Sequence, residues 1–304
     1  MAQRLQGIII PAVTTFGEDG SVDLKMMEFN YRRWNQTGVR GYMCLGSNGE
    51  FRSLDDEESF SVIRAAAEFR QKDKTLIAGV GRESLYQTLK FIERIQEAQL
   101  ELDYISVLTP SYFNKLMTDE ALVDFYVKIA DFSKYPLLLY CAPGFANSVC
   151  LSVEAVRILA DHPHIHGIKD TSGNMMQEYM AAFGQREDFS VLAGSLNNLM
   201  ACLNGGGKGG VVSAANYFPE LCARITDIYE ESGRKAAEEY VDELRKLIKL
   251  TGGPGGIAGV KYCMNLTGYE GGVPRLPVQP LSAGLAEQAK AVMKEKFDCG
   301  IWKK

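Results

Sequence analysis

Among the 304 residues, no apolar run comes near the ~20 that a membrane-spanning helix needs, so a membrane protein is not expected. The formal net charge is −5, and no block of Lys or Arg occurs, which argues against a nucleic acid or an anionic membrane as partner. The N-terminal sequence lacks a signal-peptide hydrophobic region and an Arg-rich transit sequence. We therefore expect a cytoplasmic protein.

Cysteine and histidine spacings typical of metal sites or disulfide frameworks are also scarce. The seven cysteines contain no CxxC, and several lie inside apolar runs, as Cys44 does, so we expect buried, reduced thiols. The only histidines, His162, His164 and His166, lead into the amino end of a predicted strand, where a structural role is expected. No metal site is predicted.

What the sequence does contain is a repeated alternation of short apolar runs with segments of helical spacing. Continuously apolar runs are typical of parallel strands buried on both faces. Eight such units in about 230 residues favour a closed (β/α)8 TIM barrel, an α/β fold, over a doubly wound open sheet. The predicted strands lie at 7–13, 41–45, 75–80, 104–108, 137–140, 165–169, 190–193 and 209–213.

No nucleotide motif supports the open sheet. Residues 79–84 resemble a dinucleotide fingerprint but lack its last glycine, and we interpret them as the end of strand three. The glycine-rich residues 205–210 lack the Ser or Thr that follows the lysine of a Walker loop, so a tight helix-to-strand turn is predicted there.

Helix starts carry recognisable capping residues. Ser53, Ser84, Thr118 and Ser152 each precede a predicted helix, usually with acids in its first turn. We predict a catalytic barrel over residues 1–231 and a helical C-terminal extension over residues 232–304, packed on the barrel. The predicted helices lie near 23–37, 55–70, 84–99, 118–132, 152–161, 174–184, 196–204, 219–231 and 283–296, with an amphipathic helix after 230.

Catalytic residues in such barrels lie where the strands end. Lys169 ends strand six, and a lysine at a barrel mouth is partly removed from water, which favours a neutral amine able to attack a ketone. Tyr140 ends strand five beside it and has a phenol that can move protons. The alternatives are a lysine paired with Asp170 or another carboxylate, and a tyrosine that merely fills the core.

Six motifs resemble a known superfamily over nearly the whole chain. They are GSNGEF at 46–51, TPSYF at 109–113, LYCAPG at 139–144, GIKDTSGN at 167–174, VLAGS at 191–195 and GGVVSAAN at 209–216. In this order they resemble the dihydrodipicolinate synthase and N-acetylneuraminate lyase superfamily. The sequences SNGEF and KDTSG are most similar to its 4-hydroxy-2-oxoglutarate aldolase branch.

The resemblance implies a role for each matching residue. Lys169 matches the Schiff-base lysine, Tyr140 the general acid/base, and Ser47 the hydroxyl of a proton relay, which with Asn48 binds the substrate carboxylate. Tyr112 matches the tyrosine that reaches into a neighbouring subunit's site, with Phe113 as the competing alignment. Further substrate-binding candidates are Thr171, which retains a hydroxyl, Gly194 and Val212, whose backbone lines the pocket, and Thr14 at the end of strand one.

One position departs from the synthases. Where they carry an arginine that binds a dicarboxylic substrate, this chain has Phe145, which cannot recognise a carboxylate by two hydrogen bonds. This disfavours dihydrodipicolinate synthase and favours a less acidic aldehyde half.

The resulting hypothesis is a class I aldolase that cleaves a small 4-hydroxy-2-oxo acid to pyruvate and an aldehyde. It would need no cofactor beyond the Schiff base and, by resemblance, would form a homo-oligomer that is a dimer of dimers. The alternatives are a Schiff-base dehydratase or deaminase of a sugar-derived 2-oxo acid and a binding barrel without turnover.

Overall fold

The computed structural model describes the backbone of residues 5–298 and the side chains of residues 5–294. Residues 1–4 of the predicted catalytic barrel and residues 299–304 of the predicted C-terminal extension, including Cys299, lie outside the described residues. Eight parallel strands close into a barrel, each paired with the next in sequence and the last with the first, so the predicted TIM barrel is confirmed. The strands are β1 (Gly7–Ile10), β2 (Gly41–Cys44), β3 (Thr75–Gly79), β4 (Tyr104–Leu108), β5 (Leu137–Cys141), β6 (Ile165–Asp170), β7 (Ser190–Ala193) and β8 (Gly209–Val211).

A helix follows each strand, and two more helices complete the C-terminal region. The helices are α1 (Leu24–Trp34), α2 (Asp56–Phe69), α3 (Leu85–Glu97), α4 (Asp119–Phe132), α5 (Val153–Ala160), α6 (Met176–Phe183), α7 (Leu196–Asn204), α8 (Pro219–Leu250), α9 (Gly256–Leu266) and α10 (Ala283–Asp298). The described helices include none long and apolar enough to cross a membrane.

The strands bury both of their faces, as their continuous apolar runs predict. Successive side chains point to opposite faces, so each strand feeds two separate apolar clusters. The large outer cluster fills the layer between barrel and helices and includes Cys141. The small cluster fills the barrel interior and includes Tyr140, which therefore points towards the barrel axis.

Three of the four predicted helix caps are confirmed. Ser84, Thr118 and Ser152 accept hydrogen bonds from backbone N–H groups in the first turns of α3, α4 and α5. The prediction for Ser53 is wrong. Asp55 caps α2 and forms a reciprocal capping box with Glu58, because the side chain immediately before the helix satisfies the free N–H groups of its first turn.

The C-terminal region begins at a break within α8, which consists of two helical segments. The backbone of α8 is non-helical at Gly233, with φ 82° and ψ 176°, and the helix continues beyond this break to Leu250. Helix α10 packs against both α8 and α9. The division of the chain at residue 231 stays a prediction.

Candidate active site

The amine of Lys169 and the ring of Tyr140 lie together at the carboxyl ends of adjacent strands. The two residues are register partners in the parallel pair β5 and β6. Lys169 Nζ is 4.0 Å from the centroid of the Tyr140 ring and 3.6 Å from Met43 Sδ. Both side chains are 3% exposed. The lysine is thus removed from bulk water and surrounded by weakly polar groups, which is the setting that a nucleophilic amine needs.

A hydroxyl from the turn after β2 lies next to the phenol of Tyr140. Ser47 begins the short 3₁₀ turn Ser47–Gly49, and its Oγ is 3.0 Å from the phenol oxygen of Tyr140. Either oxygen can donate, so a proton can pass in either direction. The structure therefore aligns an amine, a phenol and a hydroxyl, which belong to two strands and to the turn that follows a third.

The alternative of a lysine paired with Asp170 receives no support from the contacts of that carboxylate. Asp170 follows Lys169 in β6, so its side chain points to the opposite face of the strand. It accepts a hydrogen bond from the backbone N–H of Ser172, 3.0 Å away. Burial raises the pKa of Asp170 above its ordinary value.

The turn that carries Ser47 and Asn48 is held by neighbouring strand ends. Thr14 donates from Oγ1 to the carbonyl oxygen of Gly49 at 2.7 Å, and Asn48 donates from Nδ2 to Ser213 Oγ at 2.8 Å. Thr14 was predicted to bind substrate, but in this structure its hydroxyl is used to fix the turn. Ser213 was not predicted, although it directly follows the predicted Val212.

A buried ion pair that was also not predicted fixes the same turn from the C-terminal region. Lys261 on α9 places Nζ 2.6 Å from Glu50 Oε1, and the two side chains are 1% and 5% exposed. Glu50 Oε2 accepts from the backbone N–H of Arg275 at 3.0 Å. Burial lowers the pKa of Lys261, and the Glu50 carboxylate opposes this shift. The only sequence signals were an acid inside a glycine-containing turn and a lysine inside an apolar helix.

A close contact between the carboxyl ends of β6 and β7 explains why position 194 is a glycine. A Cβ there would lie 2.1 Å from Thr171 Oγ1 and 2.7 Å from the carbonyl oxygen of Asp170. Gly194 also donates its N–H to that carbonyl oxygen. Thr171 and Gly194 are therefore packed together next to Lys169. Val212 is buried and donates its N–H to Ile9 in β1.

The model of the dihydrodipicolinate synthetase family matches residues 4–296. The chain belongs to the dihydrodipicolinate synthetase family. A protein of Emericella nidulans described as a probable mitochondrial 4-hydroxy-2-oxoglutarate aldolase is 31% identical, and the match covers 99% of this chain and 97% of that protein. A 4-hydroxy-tetrahydrodipicolinate synthase of Acidiphilium cryptum is 28% identical, with 94% and 97% covered.

Solved structures of this family superpose on the whole chain. A structure described as the first monomeric dihydrodipicolinate synthase variant has a TM-score of 0.86 and 27% identity, and covers 96% of this chain and 97% of its own. Membership in the dihydrodipicolinate synthetase family makes the chain a pyruvate-dependent lyase. The relative from Emericella nidulans is mitochondrial, so a cytoplasmic location stays a prediction.

The residue that departs from the synthases of the family borders a cavity beside the site. This cavity of about 320 Å³ is bounded by Ser47 and Asn48 on one side and by Phe145 on another. The Phe145 ring is 55% exposed. The other lining residues are mostly apolar or glycine: Ser213, Ala214, Tyr217, Ile248, Gly252, Gly253, Gly256, Ile257 and Val260.

The two aromatic residues that compete for the inter-subunit role both face outwards. Tyr112 is 76% exposed and Phe113 is 63% exposed in the single chain, and their rings meet edge to face at 4.7 Å. The N–H of Tyr112 is held by a Glu83 carboxylate oxygen at 2.9 Å.

The histidines lie at the amino end of β6, at the opposite end of that strand from Lys169. His162 places Nε2 3.1 Å from an Asp131 carboxylate oxygen, and His166 packs edge to face against Tyr104. A structural role for these histidines stays a prediction.

Proposed function

We propose that this chain is a class I aldolase that cleaves a 4-hydroxy-2-oxo acid to pyruvate and an aldehyde through a Schiff base on Lys169. The observation that carries the proposal is the row of reactive groups at the barrel mouth. The Lys169 amine lies 4.0 Å from the Tyr140 ring centroid, and the Tyr140 phenol lies 3.0 Å from the Ser47 hydroxyl. These groups supply a nucleophile, an acid/base and a proton relay.

The first half of the reaction forms the Schiff base. Ser47 and Asn48 bind the substrate carboxylate and direct the C2 ketone to Lys169. The neutral amine attacks C2 to give a carbinolamine. Tyr140 then donates its proton to the departing hydroxyl, so that water leaves, an iminium forms and the phenolate remains, with Ser47 donating a hydrogen bond to it.

The second half cleaves the carbon skeleton. The Tyr140 phenolate removes the proton of the C4 hydroxyl, and the C3–C4 electron pair moves towards the iminium nitrogen. The aldehyde leaves and an enamine of pyruvate remains on Lys169. Protonation at C3 and addition of water then release pyruvate and restore the amine. This scheme uses no metal and no organic cofactor.

The walls of the cavity favour an uncharged aldehyde half. Phe145 stands where the synthases carry an arginine, and the lining residues Ile248, Ile257 and Val260 are apolar. A second carboxylate placed against these side chains would lose water without gaining a charged partner. We propose that 4-hydroxy-2-oxo acids with an uncharged tail are better substrates than 4-hydroxy-2-oxoglutarate.

Product analysis with a panel of 4-hydroxy-2-oxo acids tests the proposal. The full chain is incubated with each compound, and pyruvate and aldehyde are quantified separately, with Lys169→Met as the amine-free control. Equal amounts of pyruvate and aldehyde, absent from the control, are expected. A product that retains every carbon of a sugar-derived 2-oxo acid, without pyruvate, would replace the aldolase with a dehydratase or deaminase. The absence of any turnover across both kinds of compound would leave a binding barrel.

A further inference from the structure

Two cysteines bracket the segment that follows Tyr140. Cys141 is the last residue of β5, and Cys150 lies shortly before α5. Their Sγ atoms are 2.6 Å apart, although both are free thiols. Two sulfurs in ordinary van der Waals contact stand farther apart than this, whereas those of a disulfide are ~2.05 Å apart. The two sulfurs thus lie close to bonding distance.

The two thiols differ in access and in acidity. Cys141 is buried, whereas Cys150 is partly exposed. The hydrogen bond from Cys141 lowers the pKa of the Cys150 thiol, and the same contact, together with burial, raises the pKa of the Cys141 thiol. Cys150 therefore forms a thiolate first and is the one that a reagent can reach, which are the two properties of a reactive cysteine.

The other described cysteines have neither property. Cys44, Cys202, Cys222 and Cys263 are buried. Burial raises the pKa of Cys44 and of Cys202 to about 12. Such thiols are inert towards oxidants and disulfides. Any oxidation of the described cysteines should therefore begin at Cys150.

We propose that Cys141 and Cys150 are a redox-active pair that a low-molecular-weight disulfide, such as glutathione disulfide, converts into an intramolecular disulfide. The Cys150 thiolate attacks one sulfur of the reagent, forms a mixed disulfide and releases one glutathione thiolate. Cys141 then loses its proton and attacks the Cys150 sulfur, which releases the second glutathione. Two protein thiols are oxidised, and one glutathione disulfide is reduced to two glutathiones.

The bond would restrain one wall of the cavity beside Ser47 and Asn48. It closes the segment 142–149 into a ring, and Phe145 of that segment lines the cavity beside Ser47 and Asn48. The segment also contains Asn147 and Ser148, two non-glycine residues with positive φ.

The inference does not rest on the proposed aldolase activity, because the bond is detected without any substrate.

Peptide mass measurement on the full, unmutated chain tests the pair directly. The protein is treated with glutathione disulfide, then alkylated and digested with trypsin. Residues 135–157 form one tryptic peptide that contains Cys141 and Cys150 and no other cysteine. We expect this peptide to become lighter than its reduced, unalkylated form by two hydrogen atoms and to regain two alkylation sites after dithiothreitol. We also expect the Tm to rise by roughly 5 °C upon oxidation.

Cys150→Ser is the test variant and Cys202→Ser the matched control, since Cys202 lies in the same outer layer. The Cys202→Ser control should still form the disulfide. The Cys150→Ser variant should form no disulfide and should show no rise in Tm upon oxidation. Two alkylated cysteines in the 135–157 peptide after oxidation would overturn the proposal. So would a glutathione adduct that persists on Cys150 beside an alkylated Cys141, because Cys141 would then be unable to complete the exchange.

Discussion

Tyr140 carries out two proton transfers of the proposed reaction, to the departing hydroxyl and from the C4 hydroxyl. Its phenol oxygen lies 3.0 Å from Ser47 Oγ, and its ring faces the Lys169 amine. Tyr140→Phe keeps the ring and removes the hydroxyl, so we expect kcat for pyruvate release to fall by roughly 10²–10⁴-fold. Ser47→Thr keeps a hydroxyl in the relay and should retain much more activity than Ser47→Ala. A Tyr140→Phe enzyme with kcat within about twofold of the original would remove Tyr140 from the mechanism.

In the proposed reaction, Phe145 determines whether the cavity accepts a charged substrate tail. Phe145→Arg introduces a guanidinium beside Ser47 and Asn48, where it can bind a second carboxylate by two hydrogen bonds. We expect the ratio of kcat/KM for 4-hydroxy-2-oxoglutarate over an uncharged analogue to rise by roughly tenfold or more. Phe145→Leu is the control for lost aromatic volume and should leave the ratio nearly unchanged. An unchanged ratio in the arginine variant would mean that the distal half of the substrate binds elsewhere.

The individual residues of the site differ in how far the sequence could predict them. Lys169 and Tyr140 could be singled out because each lies at the carboxyl end of a buried apolar run, and a barrel brings the carboxyl ends of its strands together. Glu50 and Lys261 could not, because their pairing joins segments far apart in the chain and no local periodicity records it. The prediction that Ser53 caps α2 was wrong for a local reason, because Asp55 can accept the same hydrogen bonds and lies nearer to the helix.

At the scale of elements, helix α9 supports the turn between β2 and α2. Lys261 reaches from α9 to Glu50, and it also donates to the carbonyl oxygen of Val273 at 2.8 Å and lies 4.4 Å from the centroid of the Phe16 ring. Because Glu50 ends the turn that begins with Ser47 and Asn48, the C-terminal region fixes the residues proposed to bind the substrate carboxylate.

Glu50→Gln tests this support. The variant leaves the Lys261 ammonium buried without a counter-charge, so we expect the free energy of unfolding in urea to fall by about 3–5 kcal/mol and KM to rise by roughly tenfold. The double variant Glu50→Gln/Lys261→Met removes both charges and should recover most of the stability. If its KM stays raised while stability recovers, the pair positions the turn. A KM that recovers together with stability would make the pair purely structural.

The bounds of several strands and helices could be predicted from the sequence. Tyr104–Leu108, Ser190–Ala193 and Leu196–Asn204 have the predicted bounds, because periodicity and flanking breakers coincide there. The sequence predicts a helix that ends near residue 231 and another after it, and the non-helical backbone of Gly233 divides α8 into two helical segments close to that point.

At the scale of the whole molecule, an exposed apolar cluster indicates where copies of the chain would meet. Tyr112, Phe113 and Leu116 are each more than 60% exposed and lie in one short segment after β4. Large apolar side chains grouped in this way commonly mark a protein interface. We propose that the chain forms a homo-oligomer through this segment and that one of the two aromatic residues enters the neighbouring site.

Mixing two inactive variants tests the shared site. Lys169→Met lacks the amine, and Tyr112→Ala lacks the aromatic side chain proposed to enter the neighbouring subunit's site. If the variants are mixed and allowed to exchange subunits, some sites combine an intact Lys169 with an intact Tyr112, and activity should return. Phe113→Ala in place of Tyr112→Ala decides between the two residues. A monomer of 33.6 kDa by light scattering, or no recovery with either partner, would contradict the shared site.

The most direct test of the central claim is borohydride trapping with pyruvate. The full chain is incubated with pyruvate, reduced, and examined by intact mass and peptide mapping, with Lys169→Met as control. The account predicts one reduced pyruvate per chain, located on Lys169 and absent from the control. No adduct, or an adduct on another lysine, would contradict the Schiff-base mechanism and leave only the barrel and its family.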